Sequence, residues 1–226
     1  MQKKIRMKNF YKTNEKFQWS IGILMILMLL ILVILWLYVE NPFLRLSLIF
    51  IVIPLYLFLS TPIMTLTKKY NYVSPMLMYI KKNDETLELH SGTSFDYLFL
   101  IKNIRPGIYW RNKMLQYYIN GLIKILEKIK NDEISKTAII KGTSHFMENS
   151  IIKKLGFTID DPEPIDKIGF FIDYLDLVWM NSLSKGQIHF PKFNNFKKAK
   201  ISGEQLLNSE GKLNRYLEFL KNKTCD

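Results

Sequence analysis

FQWSIGILMILMLLILVILWLYV, Phe17 to Val39, runs twenty-three residues without a charge, and LSLIFIVIPLYLFLSTPIMTLT, Leu46 to Thr67, does so for another twenty-two. At about 1.5 Å per residue, either run coiled as a helix covers the roughly 30 Å hydrocarbon core of a bilayer. Six residues, Glu40 to Arg45, separate them and hold one acid and one base. So short a connector turns the second helix back alongside the first. The expectation is a two-helix transmembrane hairpin over residues 17–67, with spans at 17–39 and 46–67.

The charge distribution orients that hairpin. The chain carries a net charge of +12 over 226 residues. The basic N-terminal segment, residues 1–16, holds six Lys/Arg against one Glu. Lys68 and Lys69 follow the second span, and residues 68–226 carry 25 basic and 18 acidic side chains. By the positive-inside rule both termini are cytoplasmic and the connector lies outside, as in a bacterial inner-membrane protein with two spans. The same basic excess attracts anionic lipid headgroups. A cleavable signal peptide fits poorly: the first run exceeds the usual apolar core of such a peptide, and bulky Leu37-Tyr38-Val39 stands where small residues belong. The lone cysteine, Cys225, excludes an intrachain disulfide and a multi-thiolate metal site.

Trp19, Trp36, Tyr38 and Phe43 fall near the ends of the runs, where amphipathic rings settle at headgroup level. Pro54 interrupts the second run and should kink it, leaving Tyr56, Ser60, Thr61 and Thr65 to bond freed carbonyls or the partner helix. Neither run carries an ionisable residue at depth. Transport needs polar groups there, so the pair reads as an anchor.

Residues 68–226 are long enough for one domain with its own core. Thr86–His90 alternates as a half-buried strand, and Phe95–Ile101 is a further apolar run after Gly92-Thr93-Ser94. Tyr109–Lys130 repeats its apolar positions at three and four residues and is the strongest helix. Thr137–Ile140 reads as a short strand, Met147–Leu155 as a helix, Phe157–Ile159 as a strand and His189–Phe196 as a strand or loop. Ile168–Leu183 is apolar most of the way round, which suits a buried helix or one docked on the membrane face or a partner. Gly203–Lys221 is a last amphipathic helix. Strands intermixed with helices predict a cytosolic α/β, or α+β, domain with a small mixed sheet.

Chemistry is thinly marked. Gly-Thr-Ser occurs at 92–94 and 142–144, each after an expected strand, and serves as a turn, a helix cap or an anion contact. His90 and His145 each lie within two residues of one of these turns, and His189 stands apart; none has metal-ligand spacing. Asp173 and Asp176 share a helix face, where desolvation raises a carboxyl pKa as in catalytic pairs, or where they simply mark a solvent stripe. Lys192–Lys200 interleaves bases with Phe193 and Phe196 and suits a solvated loop or, beside a bilayer, lipid rather than nucleic acid.

One family comes into view from the order of helix Tyr109–Lys130, strand Thr137–Ile140, and then Asn149-Ser-Ile-Ile-Lys-Lys-Leu-Gly-Phe157. It resembles the C-terminal half of the GNAT family of N-acyltransferases, over about fifty residues. The resemblance implies an acyl-CoA site whose pyrophosphate rests on a glycine-rich turn, Gln/Arg-x-x-Gly-x-Gly/Ala, at the start of the long helix. Here the turn is Arg105-Pro-Gly107-Ile-Tyr-Trp110: Arg105 and Gly107 take the cofactor roles, while bulky residues replace the second small one. His90, His145 and Asp173 are then the candidate bases. Without that resemblance no nucleophile–base pair, metal cluster or intact cofactor loop is visible. The sequence therefore favours a membrane-anchored interaction or regulatory domain with a lipid or protein partner, and a membrane-bound acyltransferase as the alternative.

Overall fold

The computed structural model describes residues 13–83, 85–100, 104–144, 149–192 and 197–223. Two compact units emerge: Met1–Lys69 together with Thr93–Lys102, and Tyr70–Gly92 together with Asn103–Asp226.

The first unit holds helices α1 (Glu15–Leu37), α2 (Pro42–Leu66) and α3 (Ser94–Leu100). The Asn41 side chain caps α2 by accepting from the Phe43 and Leu44 amides, with Pro42 in the first turn. The Arg45 side chain donates to the Leu37 and Val39 carbonyls at the end of α1, and Trp36 Nε1 donates to the Arg45 carbonyl at 2.9 Å. A cation on those carbonyls suits the negative end of the helix dipole. Near the opposite end a Cβ on Gly22 would stand 3.2 Å from Ile63 Cδ1, so the two helices run antiparallel in close contact.

α1 is long and apolar enough to cross a membrane; α2 meets the same measure only when its two halves, bent by 43°, count as one span. Pro54 explains the bend between Pro42–Ile49 and Ile51–Leu66: it cannot donate to the Phe50 carbonyl four residues back, and its ring crowds that group. The hydroxyls of Ser60, Thr61 and Thr65 bond carbonyls of their own helix. Ile23, Leu24, Leu27 and Ile31 leave half their surface uncovered, which is at home in lipid and not in water.

α3 departs from the sequence reading, which saw only an apolar run there. Asp96 accepts from the Thr93 amide at 2.8 Å and starts a helical turn. The Phe95 ring then meets Phe58 of α2 edge-on at 5.4 Å, and Thr61 Oγ1 lies 2.9 Å from Thr93 Oγ1. A heptapeptide of mixed aromatic and aliphatic residues has no decisive period; packing settled it.

The second unit is a mixed six-stranded sheet with helices, an α/β fold. Its strands are β1 (Asn71–Ser74), β2 (Leu77–Asn83), β3 (Thr86–Ser91), β4 (Ile139–Ser144), β5 (Thr158–Asp160) and β6 (Lys197–Ser202), in the order β1-β2-β3-β4-β6-β5. β3 and β4 pair in parallel; the other neighbours are antiparallel. The helices are α4 (Ile108–Lys130), α5 (Asn149–Lys154), α6 (Pro164–Ile172), α7 (Tyr174–Lys185), α8 (Gly203–Asn208) and α9 (Glu210–Asn222). α4 makes the crossover between the parallel strands and lies on β1 and β2, with α7, α8 and α9 beside it. Its stripe of Met114, Ile119, Leu122, Ile125 and Ile129 is fully buried.

Three local expectations change. Of His189–Phe196, read as a strand or loop, residues 189–192 form no strand and 193–196 lie outside the described residues; the last strand is β6. The expected helix Ile168–Leu183 is two helices meeting at Asp173, buried on the side of Phe170, Leu177 and Met180 only. Gly203–Lys221 breaks at Ser209 into α8 and α9, the first opened by a capping box of Ser202 and Gln205.

α4 approaches the sheet at Gly121, where a Cβ would stand 2.6 Å from Leu77 Cδ2 and 3.2 Å from Val73 Cγ2. Alanine there gains about 1 kcal/mol of helix propensity but overpacks a buried contact at about 1–3 kcal/mol. Gly121→Ala should therefore destabilise the protein, read as a lower denaturant midpoint of the full chain in detergent.

Candidate functional site

The parallel pairing of β3 and β4 runs from Thr86 opposite Ile139 to Leu89 opposite Gly142 and stops there. Beyond it, His90 and Ser91 stay paired with β2, while Thr143 and Ser144 stay paired with β6. The strands thus part at their carboxyl ends, the place where open sheets with helical crossovers take ligands. The fit is tight at the last pair: a Cβ on Gly142 would stand 3.0 Å from Leu89 Cβ and 3.2 Å from its carbonyl oxygen. Gly142-Thr143-Ser144, expected as a turn, is the end of β4 itself.

Strand alternation sends neighbours to opposite faces. Ser91 faces α4, where Tyr118 Oη donates to its Oγ at 3.1 Å. That joins two hydroxyls, neither of them a base at neutral pH. His90 therefore points to the other face, into a charged cluster. Glu88 bridges Lys82 at 2.9 Å and Lys141 at 3.2 Å, with His90 Nε2 3.9 Å from its second oxygen. Burial pushes the Glu88 carboxyl up, but the two lysines outweigh it and hold it below the usual carboxylate range. His90, an exposed residue, is drawn below its ordinary value by partial desolvation of the ring and by Lys82, against the pull of Glu88. His145 lies outside the described residues.

The turn at Arg105 and Gly107 is already occupied. Gly107 has φ 98°, a conformation open to glycine, and caps α4 with no side-chain bond. Its amide donates to the Leu183 carbonyl at 2.7 Å. Gly186, the left-handed cap of α7, packs so closely that a Cβ on it would stand 3.4 Å from Gly107 Cα. The C-terminal turn of α7 thus sits against the N-terminus of α4, with its carbonyl dipole on the amide that a phosphate would use. Trp110 is buried, and Ile108 and Tyr109 are exposed beside it.

Asp173 stands at the junction of α6 and α7 with no capping bond from its side chain. Asp173 is an exposed residue, yet desolvation by nearby protein and then the like charge of Asp176 push its carboxyl up to about 6. No hydrogen bond or ion pair among the described residues links His90, Arg105 and Asp173. Lys197, Lys198 and Lys200, read as a basic run, are committed to acids: Lys197 to Asp161 at 2.8 Å, Lys198 to Glu163 and Asp166 at 2.8 and 2.9 Å, and Lys200 to Asp160. Among the described residues no group of acids, histidines and cysteines could hold a metal ion.

Sequence reading missed an open groove of about 470 Å³ between α5 and α9. Ile151 and Leu155 face Tyr216 and Phe219, whose rings stack at 6.1 Å, and Lys154, Lys212 and Arg215 rim it. The heptad-like spacing of Lys212, Arg215 and Phe219 on α9 was visible; that α5 would lie opposite was not. Compared with protein-family models, with curated proteins and with solved structures, the chain matches none.

The raised carboxyl makes a pH prediction. A folded-state pKa above the unfolded value of 3.8 means that the folded protein holds more protons between about pH 4 and 6. The penalty for ionising Asp173 accordingly grows as pH rises through that window and is complete above it. Asp173→Asn should melt with the wild type at pH 4 and above it at pH 7.5, in parallel thermal scans of the full chain.

Proposed function

We propose that this chain is a two-span integral membrane protein of the bacterial inner-membrane type, with both termini cytoplasmic. Its sheet domain acts by binding and not by catalysis. The observation that carries the non-catalytic half is the hydrogen bond from the Gly107 amide to the Leu183 carbonyl. It fills the turn where a GNAT-like enzyme would seat the acyl-CoA phosphates, and bulky Ile108, Tyr109 and Trp110 follow directly. The anchoring half is supported by the apolar length of α1 and its uncovered Leu and Ile side chains.

A second reading has its own support. The crossover through α4 between parallel strands, Asn149 opening α5, and Leu155-Gly156-Phe157 leading into β5 follow the element order that the GNAT resemblance implies. In that reading Arg105 and Gly107 contact acyl-CoA after α7 withdraws, with His90, His145 or Asp173 as the base.

Ligand-dependent melting separates the two. A ligand at 100 times its dissociation constant adds about 2.7 kcal/mol to stability. Millimolar acetyl-CoA or CoA should leave the melting temperature of the detergent-solubilised full chain unchanged. A rise of several degrees that disappears in Arg105→Ala would move the conclusion to the acyltransferase. Topology is checked with the single native thiol: a membrane-impermeant maleimide should label Cys225 only after cells are permeabilised, and should label Asn41→Cys in a Cys225→Ser background in intact cells.

A further inference from the structure

The kinked helix pair α6–α7 has two apolar sides. One, through Phe170, Leu177 and Met180, is buried in its own unit. Away from that side stand Ile168 and Phe171 of α6, three residues apart, and Leu175 and Trp179 of α7, four apart. These are exposed at 56%, 51%, 48% and 40%. Seven of the ten large hydrophobic residues described as exposed in the second unit lie on this stripe or, as set out next, at its end. The chain after α7 extends it: the His189 amide donates to Ser182 Oγ at 3.0 Å, one turn beyond Trp179, and sets exposed Ile188 and Phe190 on either side. Gly186 against Gly107 brings Ile108, also exposed, to the same end.

We infer that this stripe lies in the headgroup–acyl boundary of the bilayer that holds α1, as an amphipathic face added to the anchor. The inference rests on the membrane anchoring proposed above. Chain length supplies the proximity. Asn71 of β1 is five residues beyond Leu66 of α2, and Ile108 of α4 is eight beyond Leu100 of α3. At no more than about 3.6 Å per residue, those links hold Asn71 within about 18 Å of Leu66 and Ile108 within about 29 Å of Leu100. The Gly107–Leu183 bond then ties the end of the stripe to the start of α4. Its composition also fits an interfacial face: tryptophan and phenylalanine with aliphatic residues, bordered by exposed Lys167, Lys185 and Lys192, whose stems reach along apolar surface to headgroups.

The full chain, in a Cys225→Ser background and reconstituted in vesicles of phosphatidylethanolamine and phosphatidylglycerol, is labelled with a nitroxide at one site at a time. The sites are Phe171→Cys and Trp179→Cys on the stripe, Leu27→Cys in α1, and Glu218→Cys on exposed α9. Collision rates with oxygen and with a neutral nickel chelate report depth. Labels at 171 and 179 should be oxygen-rich and nickel-poor, as at 27 and unlike 218, with depths of about 5–10 Å below the headgroups. Adding Leu175→Glu should return the 171 label to the values of 218. Aqueous values at 171 and 179 with a lipid-buried 27 would overturn the docking alone. Spin–spin broadening at 171 and 179 would overturn it in favour of a second copy on the stripe. An aqueous 27 would overturn the anchoring reading and this inference with it.

Discussion

The close seating of α4 on the first two strands is the constraint on which the second unit depends. Gly121 removes the one side chain that would hold the helix off Leu77 and Val73. With the helix down, its buried stripe reaches the sheet while its flanks take α7, α8 and α9. The same helix is the crossover that lets β4 lie parallel to β3. Its N-terminus meets the end of α7, so one helix sets both the split between strands and the plug in the turn before it. A lift at Gly121 would be felt at each of these places, because close-packed interiors pass on strain.

What could be read from residues alone followed the strength of the period. α1, α2 and α4 are long, and their apolar patterns leave no rival, so they were legible to within a few residues. β6 was not, although Lys198 and Lys200 alternate with Ala199 and Ile201. A strand whose outward face is all lysine looks like a basic tract until acids on β5 and α6 are known to oppose it. The breaks at Asp173 and Ser209 carry no proline or glycine at the break itself and were invisible for that reason. Of the candidate site, Arg105 and Gly107 were found by their place before α4. That Leu183 of α7 would take the Gly107 amide is a long-range fact that no local pattern encodes.

The charged face of the sheet and the apolar stripe of α6–α7 divide the work of the surface. On the sheet face nearly every described lysine has a carboxylate: Lys82 and Lys141 share Glu88, and Lys198 spans Glu163 and Asp166. Such exposed pairs are worth about 0–1 kcal/mol each, but they use up charge that would otherwise draw anions. The open groove and the exposed apolar residues are elsewhere, beside Phe219 and in the row ending at Trp179.

The path of the chain has a consequence for ancestry. It passes between the two units at Lys69–Tyr70, at Gly92–Thr93 and at Lys102–Asn103. A domain appended to an anchor by gene fusion is joined at one point and can be lost, swapped or cut free there. Here no single splice separates them, for α3 is encoded between β3 and α4 yet packs on α2. Any recombination that moved the sheet alone would carry an orphaned Phe95 and Tyr97 with it, and one that moved the helices alone would leave Phe58 uncovered. One cut in the chain cannot part the helical unit from the sheet.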